Sequence, residues 1–318
     1  MSKLTNNIGW CDVTMNPGIG CRGCELGEDC YALNDTPARI LRAGKWPGYE
    51  GKPTETFGRD RTFVPTKEGL SKLQRFNKHC ICDSCHTLND WLDEDGRMKG
   101  YQCLECGSMN TLRRIRCFAD SNSDWMDWPV EILARALDEI CRAPNVDVIL
   151  LTKWPELWRE RMETIAETEG GILGFEPSFY NWLNAWIEDE PPANVITLTS
   201  VLGNAFDEKR IAGILAMPSR CRGLSMEPLW ASVTLDPKWL QPDAIRWVIV
   251  GCDSSKHHKG WEHYEANARG IVQQCQAAGV PVYHKQMPVN GRVSLNPAEW
   301  PADLRVRQWP GVSHAGQS

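Results

Sequence analysis

Fourteen cysteines stand in this chain, and the spacing of seven of them points to metal chemistry. Cys82-Asp83-Ser84-Cys85 is followed, after seventeen residues, by Cys103-Leu104-Glu105-Cys106-Gly107. Each CxxC pair is a tight turn that directs two thiolates at one ion, and two such turns complete the closed tetrahedron of a structural Zn2+ site. Iron in the same sulfur tetrahedron satisfies that geometry equally. Cys80, two residues upstream, reads as a spare thiol.

A second group is Cys21-Arg22-Gly23-Cys24 followed by Cys30-Tyr31, in a glycine-rich stretch. Three thiolates leave one iron of a [4Fe–4S] cubane open, and that iron can chelate the amino and carboxylate groups of S-adenosyl-L-methionine (SAM); four would close the cluster. The spacing is equally compatible with zinc. Cys11 is the available fourth ligand, although its place in an apolar strand favours simple burial. Cys141 and Cys275 fall within helical apolar patterns, where a thiol behaves as a small hydrophobe.

The bulk composition narrows the partners. The 318 residues carry a net charge of -6, so no global positive field draws the surface to phosphate backbones, and any nucleic-acid contact must be local. The N-terminus lacks the basic start and apolar run of a secretory signal, and no stretch has the roughly 18 apolar residues of a membrane span. A soluble, cytoplasmic protein with no membrane partner is expected. The fifteen tryptophans, many beside prolines, read mainly as packing residues.

These cysteines must be positioned by something larger. From about residue 112 the chain alternates β-rich and helical runs: strands at Gly9 to Thr14, Ile115 to Ala119, Val146 to Leu151, Val195 to Thr199, Gly223 to Ser225, Trp247 to Val250 and Val280 to Tyr283. Helices are predicted from near Pro129 through Cys141, over Asp207 to Met217, and over Glu262 to Ala278. Seven βα-type units predict an α/β fold, a partial or complete β/α barrel, with an open doubly wound sheet as the alternative. Residues 1–44 and 112–310 form the barrel in this reading. Residues 45–111 are an insertion carrying a zinc ribbon over about 78–110, and 311–318 a loose tail. Lys78, Arg97, Lys99, Arg113, Arg114 and Arg116 flank the ribbon, as a nucleic-acid surface or as a solvated rim. In a β/α barrel, the loop after the first strand opens at the C-terminal mouth, where reactive groups gather.

An ordered series of short motifs adds a resemblance. Trp10 with Thr14, Asn16-Pro17, Gly20-Cys21 and Cys30-Tyr31-Ala32 are followed by Ser121, Ser123-Asp124, Leu151-Thr152-Lys153 with Pro155, Asn194 and Ser200. Ser225 with Glu227-Pro228-Leu229, Trp247 to Gly251, and Lys285-Gln286 complete it. In these residues the chain resembles a phage-associated three-cysteine-motif family related to radical-SAM and spore-photoproduct-lyase-like enzymes. The resemblance implies a radical-SAM (TIM-type) barrel holding a [4Fe–4S] cluster on Cys21, Cys24 and Cys30, a phage or prophage source, and an electron donor such as flavodoxin or ferredoxin. Its implied substrate is an amino-acid-substituted thymine in DNA or as a nucleoside, rearranged by an isomerase or otherwise modified. It implies Lys153, Glu227 and Lys285 as catalytic residues, and Ser121, Asp124, Ser200, Glu227 and Gln286 as SAM-binding ones. The chain departs from the family in its cysteine spacing, in Gly251-Cys252-Asp253-Ser254 where the family has Gly-Gly-Glu-Ser, and in the added ribbon. Two other readings remain: a non-catalytic zinc protein acting as a nucleic-acid or protein adaptor, and a pyrimidine photoproduct repair enzyme.

Overall fold

The computed structural model describes residues 8–26, 30, 63–66, 69–90, 102–109, 112–167, 174–255 and 257–311. Tyr31, Ala32, Arg97, Lys99, about half of the segment read as an insertion, and the tail beyond residue 311 lie outside the described residues.

In chain order the elements are β1 (Val13–Thr14), β2 (Gly18–Ile19), β3 (Val64–Pro65), α1 (Leu73–Phe76), β4 (His79–Cys82), β5 (Leu88–Asp90), β6 (Leu112–Arg113) and β7 (Ile115–Phe118). There follow α2 (Val130–Cys141), β8 (Val146–Thr152), α3 (Trp158–Glu167), α4 (Pro177–Ile187), β9 (Val195–Ser200) and α5 (Asp207–Ala216). β10 (Arg222–Met226), β11 (Ile245–Gly251), α6 (Tyr264–Ala277), β12 (Val282–Val289) and β13 (Arg292–Ser294) complete the series. No helix among the described residues is long and apolar enough to cross a membrane.

Eight strands make one sheet in the order β1-β7-β8-β9-β10-β11-β12-β13. The first seven are parallel, and β13 returns antiparallel on β12. Seven parallel strands agree with the sequence count. α3 and α4, between β8 and β9, are absent from the sequence reading: Phe179, Tyr180, Trp182 and Trp186 are poor intrinsic helix formers, and it is their packing that holds α4 helical.

The sheet curls. Neighbouring strands stand about 4.8 Å apart, so in a flat sheet β1 and β10, four positions along, would be separated by roughly 19 Å. Instead the indole of Trp10, just before β1, donates a hydrogen bond of 3.1 Å to Glu227, just past β10. Among the described residues β1 and β13 remain free edges, so the sheet is a half-barrel rather than a closed one. Residues 306–309 run beside β12, with Gln308 N donating to Val282 O and the Trp309 indole to Trp10 O, and so partly fill the gap.

Alternate residues of each strand serve two cores, and hence the strands read as continuous apolar runs. Val146, Val148 and Leu150 of β8 face the helices and share one core with Leu137, Met162, Trp186 and Ile271. Ile149 of the same strand faces the concave side, with Trp10, Phe118, Leu198, Trp247, Ile249 and Tyr283. Gly223 is required here, because a Cβ would stand 2.5 Å from Leu198 Cδ2 and 2.8 Å from Trp247 O. Cys275 is fully buried in the outer core, as its helical pattern predicts.

Residues 63–76 lie within the segment read as an insertion, yet β3 pairs with β2, and Leu70 and Leu73 enter the outer core. The ribbon proper is a three-stranded sheet in the order β5-β4-β6. It leans on the half-barrel through Ile81 and Leu88 against Ile115. Arg113 ties the two together, donating to both carboxylate oxygens of Asp12 at 2.6 and 2.9 Å and to Asp83 at 2.5 Å.

Candidate metal centres

β4 delivers Cys82 and the turn after it delivers Cys85. Cys82 O accepts from His86 N at 2.8 Å, and Cys103 O from Gly107 N at 2.9 Å. The residue closing each turn is left-handed, His86 at φ 57° and Gly107 at φ 72°. Glycine adopts that conformation freely, and histidine is among the side chains that tolerate it. The two turns face one another: Cys82 and Cys106 sulfurs are 3.7 Å apart, as are those of Cys85 and Cys103, and all four lie within 4.8 Å of one another. Four thiolates about 2.3 Å from one ion would stand about 3.8 Å apart, so the group has the shape of a single-ion tetrahedron. Asn89 Nδ2 approaches Cys103 Sγ at 3.7 Å, and backbone N–H groups, Cys106 first, hold the Cys103 thiol below its ordinary pKa. Cys80 turns away, donating to Asn89 O at 3.4 Å, and burial pushes its thiol up to about 11.

The Cys21, Cys24 and Cys30 loop is built otherwise. Gly20 pairs with Ser123 in the loop after β7, and Asn16 binds Ser121 Oγ and Asn122 N, so the loop sits at the C-terminal end of the parallel strands. The residue after each of the first two cysteines is clasped to the scaffold. Arg22 pairs through its guanidinium and its backbone N with Asp127, whose carboxylate is fully buried. Glu25 takes both arms of Arg210, a residue of α5 only 2% exposed, which also donates to Lys153 O at 3.2 Å. Burial opposes ionisation of Glu25, but the Arg210 hydrogen bond and charge overcome it and hold the carboxyl below its usual range.

The three thiols share one electrostatic neighbourhood. Burial pushes Cys21 up to about 12, with Cys30, Asp124 and Asp127 adding to the rise; burial also raises Cys24, against the lowering influence of Lys153. Burial works against the Lys153 charge, but Cys24, Asp124 and Cys30 outweigh it and keep its ammonium above the ordinary lysine value. Among the described residues, the Lys153 amine has no hydrogen-bond or ion-pair partner. These sulfurs do not converge as the ribbon's do: only the ribbon group, among the described residues, brings three or more such ligand atoms within 4.8 Å of one another. Cys11 packs in the concave apolar cluster, and its thiol is raised by burial first and then by Asp12, with no triad cysteine among the causes.

A second polar group lines the mouth on the β10–β12 side. Lys285 Nζ stands 2.7 Å from Glu227 Oε2, close enough for an ion pair but without hydrogen-bond alignment. Glu227 Oε1 accepts from Trp10 Nε1 and, at 3.3 Å, from Ser225 Oγ. Ser200 is the register partner of Ser225 and so shares its face.

The predicted site residues thus divide. Lys153 lies with the cysteines, and Glu227, Lys285 and Ser200 lie across the mouth. Asp124, raised to about 6 by burial and by the charge of Asp127, spends its carboxylate on Met126 N, Thr152 Oγ1 and Lys153 N. Ser121 is bonded to Asn16. Gln286 donates to Cys252 O, and Asp253 accepts from Ser255 N and Lys259 N to close its own loop. Arg22, Glu25, Asp127 and Arg210 escaped the sequence reading. The available signal was Arg210 itself, a charge on the apolar face of α5 next to Ile211 and Ile214.

No curated protein and no solved structure matches the chain. Residues 5–299 match a family model described as Protein of unknown function (DUF5131). That match runs through the cysteine loop, the ribbon and every strand of the half-barrel, and the chain therefore belongs to the DUF5131 family.

Proposed function

We propose that Cys21, Cys24 and Cys30 hold a [4Fe–4S] cluster, that Cys82, Cys85, Cys103 and Cys106 hold Zn2+, and that the chain is a radical-SAM enzyme. The observation that carries this is the contrast between four sulfurs drawn around one point and three that share a neighbourhood without converging. The donors fit the groups: thiolates of a cubane bind different irons and so stand farther apart than those on one ion, and three leave an iron open. Thiols raised by burial stay protonated at neutral pH unless a cation displaces the proton. When bound, such a cluster would supply the one electron that breaks the S–C5′ bond of SAM, giving methionine and a 5′-deoxyadenosyl radical.

The chain's own residues then have distinct tasks. The Arg22–Asp127 and Glu25–Arg210 clasps fix the cysteine loop. Lys153 places a positive charge beside Cys24 and Cys30. Glu227 and Lys285, opposite charges in one pair, are complementary to the ammonium and carboxylate of an amino-acid group, belonging to SAM or to the substrate. Beneath them Trp247, Ile249 and Tyr283 keep the concave face dry.

The resemblance supplies the finer reading: rearrangement of an amino-acid-substituted thymine in phage DNA, with a flavodoxin or ferredoxin as electron donor. A base in duplex DNA would have to be flipped or single-stranded to reach the mouth.

Anaerobic reconstitution followed by iron, sulfide and zinc analysis tests the metal assignment. About four irons with matching sulfide and one zinc per chain are expected. Two zincs without sulfide would instead make the chain a zinc adaptor. Loaded, reduced protein should then release 5′-deoxyadenosine from SAM when given a thymine derivative; release only with another substrate class would overturn the thymine assignment.

A further inference from the structure

At the opposite, N-terminal end of the parallel strands, a cavity of about 220 Å³ opens between the ribbon and the C-terminal segment. Asp83, Arg113, Arg114, Arg116, Trp247 and Trp309 are among its lining residues. The carboxylates nearby are largely committed. Asp12 is gripped by Arg113 and by the backbone N of Arg116, Asp83 by Arg113, and Asp147 stands 3.5 Å from Arg114. Arg116 is different: among the described residues, its guanidinium makes no hydrogen bond and lies over the Trp309 ring at 4.7 Å. Arg114 Nη1 is buried and faces Asp147 Oδ1 at 3.5 Å as an ion pair without a hydrogen bond.

Ring stacking stabilises a guanidinium but uses none of its N–H donors. Burial first, and then the neighbouring Arg113 charge, lower the Arg116 pKa to about 10, and Asp12, Asp83 and Asp147 offset this only in part. Water in the cavity can accept hydrogen bonds but supplies no charge. The volume is below the roughly 300–1,000 Å³ of sites that enclose a drug-sized ligand, so it admits an ionic group rather than a whole nucleotide.

We infer that this cavity is an oxyanion site, in which Arg116 and Arg114 hold a phosphate group. Forked guanidinium donors match phosphate oxygens in geometry as well as charge. The site is independent of the cluster assignment, and it would join the ribbon, the sheet and the C-terminal segment through one ligand. A free phosphate and the terminal phosphate of a nucleic acid share this chemistry.

Titration of the zinc-loaded full chain with inorganic phosphate, against potassium chloride at equal ionic strength, tests it by calorimetry. Saturable binding is expected in the unaltered chain, weakened about tenfold in Arg116→Gln and in Arg114→Gln, and unchanged in Lys238→Gln on the remote surface. If circular dichroism shows Arg116→Gln to be unfolded, Arg114→Gln decides. A short DNA strand with a 5′-phosphate binding better than the same strand without it, and losing that advantage in Arg116→Gln or Arg114→Gln, would identify a nucleic-acid end as the source. Equal binding of the two strands beside saturable inorganic phosphate would identify a small phosphate. No binding of inorganic phosphate beyond the chloride control, or undiminished binding by the folded arginine variants, overturns the inference.

Discussion

The two cysteine groups lie on one chain but are held in place by different forces. In the ribbon, each pair is set by a five-residue turn with one left-handed residue, and a short antiparallel sheet brings the turns together at tetrahedral spacing. In the cysteine loop, long-range ion pairs do that work: Asp127 is 105 positions from Arg22, and Arg210 is 185 from Glu25. A site for one small ion can be shaped by local turns. A site for a larger group needs its ligands spread apart, and spread ligands must be anchored individually to a rigid scaffold.

The largest expected effect separates the groups by their metals. Cys21→Ser should strip the iron and leave the zinc, whereas Cys82→Ser should do the reverse and expose about residues 79–113 to limited proteolysis. A ribbon this small draws on the roughly 10–16 kcal/mol of zinc binding for its folding. Parallel loss of both metals in either variant would break the comparison.

Next in size is the buried clasp. Arg210→Met leaves Glu25 as an uncompensated charge and should destabilise the fold by about 3–5 kcal/mol. Adding Glu25→Met should restore most of that stability, because two apolar side chains replace a desolvated pair. If the clasp positions the cysteines, the double variant will still bind iron poorly while keeping its zinc. Full iron content in the double variant would reduce the clasp to a purely structural element.

Acid sharpens the comparison by acting on a group in neither site. His284 is fully buried, bonded to Leu304 O and to the Tyr264 hydroxyl, and burial lowers its pKa to about 4. The unfolded chain binds a proton near pH 6.5, so the folded state, which excludes it, loses stability as pH falls. The contribution is present above about pH 6.5 and declines by about 3 kcal/mol toward pH 4. Denaturant titrations across that window should show the slope, and His284→Gln should flatten it.

The smallest effect is expected at the ribbon's outer contact. Asp83 is 55% exposed, so Asp83→Asn should cost at most about 1 kcal/mol despite its 2.5 Å contact with Arg113. Zinc content should not change. A larger loss would mean that the ribbon and half-barrel fold as one unit through Arg113.

How far the sequence could be read follows the range of the forces. The strands were legible from their apolar runs, since both faces of β8, β9 and β11 are covered. α4 was not, because its aromatic residues favour a helix only when packed. Among the candidate site residues, Glu227 and Lys285 were reached through the resemblance, but their pairing was not legible; nor was the use of Asp124 to cap a neighbouring loop.

By itself the sequence determined what short-range stereochemistry determines: two CxxC turns, seven parallel strands in order, and helices whose apolar stripe repeats every turn. Tertiary structure alone decided how far the sheet curls before it stops, that Trp10 reaches Glu227 across 217 positions, and that Arg210 serves the cysteine loop while Arg116 is left facing a cavity. The reason is physical. Backbone turns and apolar periodicity are properties of a few adjacent residues, whereas a charge takes whichever opposite charge the folded chain brings within reach, and spacing along the sequence carries no record of that choice.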